Sequence, residues 1–196
     1  LIQKSLAGRD VGLTLELGGK AANIVYEDAA IDQAVEGVVN GIFFNQGHVC
    51  CAGSRLLLQE SIHDEFVKKL EKRMQSLRVG NPLDKNTDIG AINSKEQLDK
   101  ITGLVNEGVE DGGELFQTEC ELPGNGFWFR PTLFTNVQPS YSIAREEIFG
   151  PVLTTLTFRT PEEAVEIANN TEYGLSAGVW TEKGSKILWT ADRLDA

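Results

Sequence analysis

At 196 residues, with 41% hydrophobic side chains, the chain carries enough apolar material for one principal core. A formal net charge of -11, scattered in short clusters such as Glu110-Asp111 and Glu162-Glu163, excludes phosphate-backbone binding as the main task, so nucleic acid is not an expected partner. No apolar window is long enough for a membrane span, no secretory leader is visible, and three cysteines with two adjacent (Cys50 and Cys51) make a poor disulfide framework; reduced thiols in the cytoplasm, or in a compartment such as the mitochondrial matrix, are the expectation.

In chain order, Val11 to Leu17 predicts a short strand ending at Gly18-Gly19, and Asn23 to Tyr26 a second. Ile31, Ala34, Val35, Val38, Val39, Ile42 and Phe43 recur at helical spacing and deliver a helix C-terminus to Asn45-Gln46-Gly47. A strand at Arg55 to Gln59 follows, then a helix with Ser61 as N-cap and Ile62, Phe66, Leu70 and Met74 on its apolar face. Ser94-Lys95-Glu96-Gln97 has the form of a capping box and opens a helix that Gly112-Gly113 stops. Short β segments are expected around Phe129 and from Thr132 to Val137, and the loop Glu146 to Pro151 enters a strand at Val152 to Phe158. Thr160-Pro161-Glu162-Glu163 starts a helix running to about Asn169; Leu175 to Trp180 is a strand, and Lys183 begins another helix. Strands alternating with helices predict an α/β fold, a largely parallel sheet flanked by helices.

Three short segments carry candidate chemistry. Cys50 follows a Gly-containing turn, a setting that exposes sulfur and surrounds it with backbone N–H groups able to stabilise a thiolate and an oxyanion; the alternative is an inert core thiol. Glu16 sits at the end of the first predicted strand, before two glycines that let the backbone turn tightly, where it is either an active-site carboxylate or a solvated strand terminus. Glu147-Ile148-Phe149-Gly150-Pro151 places an acid and an aromatic on a stiff loop, suited to hydrogen-bonding a ribose and packing a planar ring, or simply a turn with a core phenylalanine. No Cys/His spacing suggests a metal site.

Taken together and in this order, the segments resemble the signatures of the aldehyde dehydrogenase superfamily. Leu15 to Lys20 is similar to its glutamate signature, Phe44 to Arg55 to its cysteine signature and Glu147 to Pro151 to its Glu-x-Phe-Gly-Pro segment, at separations of 34 residues (Glu16 to Cys50) and 97 residues (Cys50 to Glu147). The resemblance covers nearly the whole chain, including Gly80-Asn81-Pro82 and Ala168 to Leu175, with a fainter likeness to the branch carrying two fused dehydrogenase-like domains. It implies Cys50 as nucleophile, Glu16 as a partly buried general base for a hydrolytic water, and NAD or NADP as cofactor, with Glu147 on the nicotinamide-side ribose, Phe149 against the nicotinamide and Gly18 also on the cofactor side. An aldehyde is the implied substrate, a carboxylic acid the product, and a homo-oligomer the implied assembly.

The same resemblance implies that residues 1–18 are the C-terminal remnant of a Rossmann-like cofactor domain and that residues 19–196 belong to a catalytic domain cut short at its C-terminal end. A segment so divided is expected to be inactive by itself. One departure is His48, where many relatives carry Gln; it either tunes the Cys50 thiolate or, as histidines beside turns usually do, hydrogen-bonds backbone. The alternative reading for the whole chain is a catalytically impaired relative serving as an interaction or dimerisation module.

Overall fold

A computed structural model describes residues 1–196. Its centre is one six-stranded sheet: β1 (Ala22–Val25), β2 (Arg55–Gln59), β3 (Glu114–Gln117), β4 (Thr132–Thr135), β5 (Val152–Phe158) and β6 (Ala177–Trp180). The spatial order is β3-β4-β5-β2-β1-β6, all neighbours parallel except β3, which runs antiparallel to β4 at one edge. This is the α/β architecture expected from the alternation of elements. Seven α-helices accompany it: α1 (Ile2–Leu6), α2 (Ile31–Phe43), α3 (His63–Met74), α4 (Lys95–Glu110), α5 (Ser142–Arg145), α6 (Pro161–Asn169) and α7 (Gly184–Ala191).

Alternation along the central strands divides the core. Val25, Leu56, Leu58, Leu133 and Leu153 point to one face, where α2 and α3 bring Val35, Val38, Ile42, Phe66 and Leu70. Their sequence neighbours Ile24 and Leu57, with Leu156 of β5, point to the other face, beneath Ala164 and Ala168 of α6. On that second side a further cluster joins Phe134 and Val152 to Ile101 and Val105 of α4, Ile143 of α5, and Ile148. Leu56, Leu57 and Leu58 are each fully buried, as a central parallel strand covered on both faces requires. Burying each such side chain contributes about 1.5–3 kcal/mol.

Several edges differ from the sequence expectation. Val11 to Leu17 forms no strand: the segment is extended and exposed, and although its apolar residues alternate, no strand in the chain pairs with it. Glu16 therefore does not close a strand. Ser61 is not an N-cap; a 3₁₀ turn, Glu60–Ile62, precedes α3, and the Ser61 hydroxyl donates to Glu27 instead. The edge strand β3 and the single turn of α5 were not expected, and no strand forms around Phe129. The caps of α4 and α6 do form, with Ser94 Oγ accepting from Gln97 N and Thr160 Oγ1 from Glu163 N. No helix is long and apolar enough to cross a membrane.

Candidate active site

The three signature segments meet at the amino ends of adjacent strands. Gly18 to Lys20 precedes β1, the turn with Cys50 precedes β2, and Glu147 to Pro151 precedes β5; the sheet places these strands side by side as β5-β2-β1. Ligands of open parallel sheets usually gather at the carboxyl ends, whereas these three segments gather at the amino ends.

Backbone conformation ahead of Cys50 is costly. Asn45, Gln46 and Gly47 all have positive φ, at 49°, 49° and 75°. Asn tolerates this conformation better than Gln does, and each strained non-glycine residue costs about 1–3 kcal/mol unless its surroundings enforce it. Two hydrogen bonds enforce it here, His48 N to Asn45 O (2.9 Å) and Asn45 Nδ2 to His48 O (3.1 Å). Gly47 permits a close approach, because a Cβ there would collide with the carbonyl group of Gly150. The turn then carries Cys50, half-buried, and Cys51, exposed, both as free thiols. Only Cys51 lines the neighbouring groove formed with Asn23, Gly41, Ser176 and Trp180.

Gly19 joins the Cys50 turn to the Glu147 carboxylate. Its N–H donates to Glu147 Oε1 at 2.9 Å, and its bare α-carbon packs so closely on the Cys50 carbonyl that a Cβ would lie 2.5 Å from that oxygen. Gly18 makes room for the other carboxylate oxygen, Glu147 Oε2, which occupies the space of a missing Cβ. Gly19 thus touches both the Cys50 backbone and the Glu147 carboxylate, and Gly18 packs on that same carboxylate. Phe149 joins them through the loop, half-buried and at φ 54°, with its ring stacked on His48 at 5.2 Å between centroids and 8° between planes.

Glu16 is not part of this contact set. Its side chain is exposed on the extended segment, which corrects the expectation of partial burial. Three residues of chain nevertheless keep its Cα within about 11 Å of that of Gly19.

Sequence reasoning missed several residues that hold the site together. Arg55, at the start of β2, is buried and donates to the carbonyls of Lys20, Ile167 and Ala168 at 3.1, 2.9 and 2.7 Å. It thereby ties the Gly-Gly-Lys segment to the C-terminus of α6, where a cation also meets the negative end of the helix dipole. Burial pushes its guanidinium down to about 10. Lys20 is 1% exposed and its Nζ has no hydrogen-bond partner; burial, reinforced by the Arg55 charge, pushes it down to about 7. Gln97, read as part of a capping box, donates instead to the carbonyls of Ile148 and Phe149 at 2.8 and 3.0 Å, and Lys100 Nζ donates to the Glu147 carbonyl at 2.7 Å. A helix of the second core thus grips the Glu147 loop from behind. Nothing in the local sequence signals these long-range bonds.

The donor set suits a nicotinamide nucleotide: Glu147 offers a carboxylate with one oxygen still free of hydrogen bonds to protein N–H groups, and Phe149 offers a flat ring. Comparison with known proteins agrees with this chemistry. The aldehyde dehydrogenase family profile matches residues 1–196. Retinal dehydrogenase 2 of Rattus norvegicus is 45% identical over 201 aligned positions, covering 100% of this chain and 38% of that protein. Among solved structures, the NAD-dependent aldehyde dehydrogenase of Sinorhizobium meliloti superposes with a TM-score of 0.91 at 44% identity, over 97% of this chain and 38% of that one. Betaine aldehyde dehydrogenase of Staphylococcus aureus, solved in complex with NAD+, gives a TM-score of 0.91 at 36% identity, over 99% and 39%. The chain thus spans about two-fifths of the length of these relatives. On its three signatures, its fold and this similarity along its whole length, the chain belongs to the aldehyde dehydrogenase family.

Proposed function

We propose that the full-length protein containing this segment oxidises an aldehyde to a carboxylic acid with NAD or NADP, and that Cys50, Glu16, Glu147 and Phe149 carry the reaction. The observation that supports this most directly is the shared glycine: Gly19 touches the backbone of Cys50 on one side and the carboxylate of Glu147 on the other. A thiol that attacks a carbonyl and a carboxylate that orients a ribose must be held in fixed relation, and one residue with no side chain does so.

In this reading the Cys50 thiolate adds to the aldehyde carbon, and the resulting oxyanion is stabilised by backbone N–H groups of the turn. Collapse of the thiohemiacetal releases hydride and leaves a thioester on Sγ. The bound dinucleotide supplies the hydride acceptor. Glu16 then takes a proton from water, the hydroxide adds to the thioester carbon, and the Cys50 thiolate departs as the acid forms. Glu16 is exposed to solvent, and its Cα lies within about 11 Å of that of Gly19, the residue that packs on the Cys50 carbonyl. Glu147 accepts hydrogen bonds from the ribose hydroxyls, Gly18 allows its carboxylate to lie close, and Phe149 fixes the face of the nicotinamide.

Two variants of the full-length protein test the reading together. Cys50→Ala is expected to abolish aldehyde oxidation with little change in the melting curve, and Glu16→Gln to yield one equivalent of reduced nucleotide and then stall as the acyl-enzyme. Substantial turnover by Cys50→Ala would shift the nucleophile to Cys51, and unimpaired steady-state turnover by Glu16→Gln would remove that residue from the mechanism. The 196-residue segment alone is expected to give no sustained NADH production and no micromolar affinity for NAD by calorimetry, because dinucleotide affinity rests largely on phosphate and adenosine contacts.

A further inference from the structure

We propose that His48 is a positioning residue: in its neutral form, protonated at Nδ1, it locks the Glu147 to Pro151 loop onto the turn that carries Cys50. The proposal deepens the dehydrogenase reading and rests on it for the functional consequence, while the lock itself is a matter of geometry.

The imidazole makes three contacts at once. Nδ1 lies 2.8 Å from the Phe149 carbonyl oxygen, Nε2 lies 3.3 Å from the Asn93 backbone nitrogen, and the ring stacks on that of Phe149. A carbonyl oxygen can only accept, so Nδ1 carries the hydrogen; a backbone N–H can only donate, so Nε2 is bare. Two independent partners therefore select the same tautomer. Protonation at Nε2 would set two donors face to face and release Asn93, while the Phe149 contact would survive.

The loop so held is otherwise costly to keep in place. Phe149 is at positive φ, and its carbonyl also receives Gln97 Nε2 at 3.0 Å, so His48 and α4 grip one oxygen from two sides. Gly47, adjacent to His48, packs on the carbonyl of Gly150. Loosening His48 would thus disturb first the two residues that face the cofactor, Glu147 and Phe149, and leave the thiol chemistry of Cys50 in place.

Burial holds the His48 ring below the ordinary histidine value, opposed by its bond to Phe149, so the ring is neutral at pH 7 and the lock weakens only as pH falls below 6.5. The ionisable groups on the elements around it are otherwise engaged. On α4, Lys95 pairs with Asp99 and Lys100 bonds the Glu147 carbonyl; Glu96 lies in the exposed first turn. In the segment leading to Asn93, Asp88 accepts from Arg78 N. On the loop, the Glu147 carboxylate is held by Gly19, and Glu146 is exposed. On its own turn, Cys50 and Cys51 are the neighbours.

The full-length enzyme provides the test, with three variants read against pH. His48→Gln preserves both hydrogen bonds, because an amide donates through Nε2 and accepts through Oε1, yet it does not titrate; His48→Phe keeps the stack and loses both bonds. The wild type is expected to show a KM for NAD that rises about tenfold as pH falls from about 7.5 to well below the ordinary histidine range, roughly the worth of one lost hydrogen bond, with kcat changed far less. His48→Gln should hold a low KM across that range, and His48→Phe a high one throughout. Nitrogen-15 histidine spectra of the wild type should show the Nδ1-protonated tautomer at pH 7, with the Asn93 amide protected from exchange and exposed on acidification. An Nε2-protonated ring, a pH profile of KM unchanged in His48→Gln, or a KM unchanged in His48→Phe would each overturn the proposal. If the enzyme oxidised no aldehyde at all, the dehydrogenase reading would fail, while the spectra and NAD affinity measured by titration would still decide whether the lock exists.

Discussion

Gly19→Ala is the perturbation whose effect can be worked most directly from the structure. The added Cβ would stand 2.5 Å from the Cys50 carbonyl oxygen, whereas ordinary van der Waals contact begins at 3.4 Å. The obstacle is backbone rather than the end of a flexible side chain, so the Cys50 turn must retreat by about 1 Å, and if Cys50 reacts as proposed, a displacement of that size costs about 10²-fold in rate. Overpacking of this kind costs about 1–3 kcal/mol of stability, small enough for the protein to remain folded at room temperature. Gly18→Ala differs in kind, because its Cβ meets the carboxylate of Glu147, which can swing away. Gly19→Ala is therefore expected to lower kcat by about 10²-fold, and Gly18→Ala to raise KM for NAD with kcat within about threefold of wild type. Steady-state kinetics with NAD varied at saturating aldehyde separates the two, alongside thermal melts to confirm folding. The reasoning fails if Gly19→Ala keeps kcat within about threefold of wild type, or if both substitutions act on the same constant.

Lys20 offers a test through stability. Its folded-state amine, pushed down to about 7 from 10.5, binds fewer protons than the unfolded chain between those values, so its contribution makes stability rise as pH rises across that window. Lys20→Met removes the unpartnered buried amine and is expected to stabilise the protein by about 1–3 kcal/mol at neutral pH and to flatten the rise, as measured by urea melts at about pH 7 and about pH 9.5. Destabilisation by Lys20→Met at neutral pH would show that the amine has a partner essential to the fold.

How much of this was legible in the sequence differs element by element. The strand Arg55 to Gln59 was readable to the residue and the helix from Ile31 to within two residues at its end, which lies at Phe43 just before the Asn45 to Gly47 turn, because a 3.6-residue apolar stripe has one face to bury. The cap at Thr160 was equally plain, its oxygen, Pro161 and Glu163 being neighbours in sequence as well as in space. Val11 to Leu17 misled for the opposite reason: alternation declares a strand's faces but not its partner, and the exposed side chains of Val11, Leu13, Leu15 and Leu17 find no sheet here. Gln97 misled because a local pattern, the capping box, lost its side chain to two carbonyls about fifty residues away. The identity of Cys50, Glu147 and Phe149 as site candidates came from motif order, and of the two readings of His48 the structure shows the backbone hydrogen bond, to the Phe149 carbonyl 101 residues away; Arg55 became informative only through carbonyls 35 to 113 residues distant, and Lys20 only through a burial that leaves its amine without a partner.

The placement of the site at the amino ends of the strands has a physical consequence. Each signature segment runs directly into a strand whose first residues are already paired: Arg55 N bonds Ala21 O at 3.1 Å, Thr154 N bonds Ser54 O at 3.0 Å, and Thr132 N bonds Pro151 O at 2.9 Å. The ladder begins within five residues of Cys50, of Gly18 and of Glu147, so sheet register sets the distances among them. A slip of one residue in β2 would exchange the faces of Leu56, Leu57 and Leu58 and move Cys50 by about 3.3 Å along the strand. Slippage is opposed from both ends, by Arg55 anchored on α6 at the amino end and by apolar packing on both faces along the strand. The strained turn at Asn45 to Gly47 ends eight residues before β2, and Phe149, also at positive φ, lies three residues before β5, so each is tied to a buried strand paired on both sides, while local hydrogen bonds hold the turn itself. Reactive geometry in this chain is therefore a property of sheet register first and of the loops second.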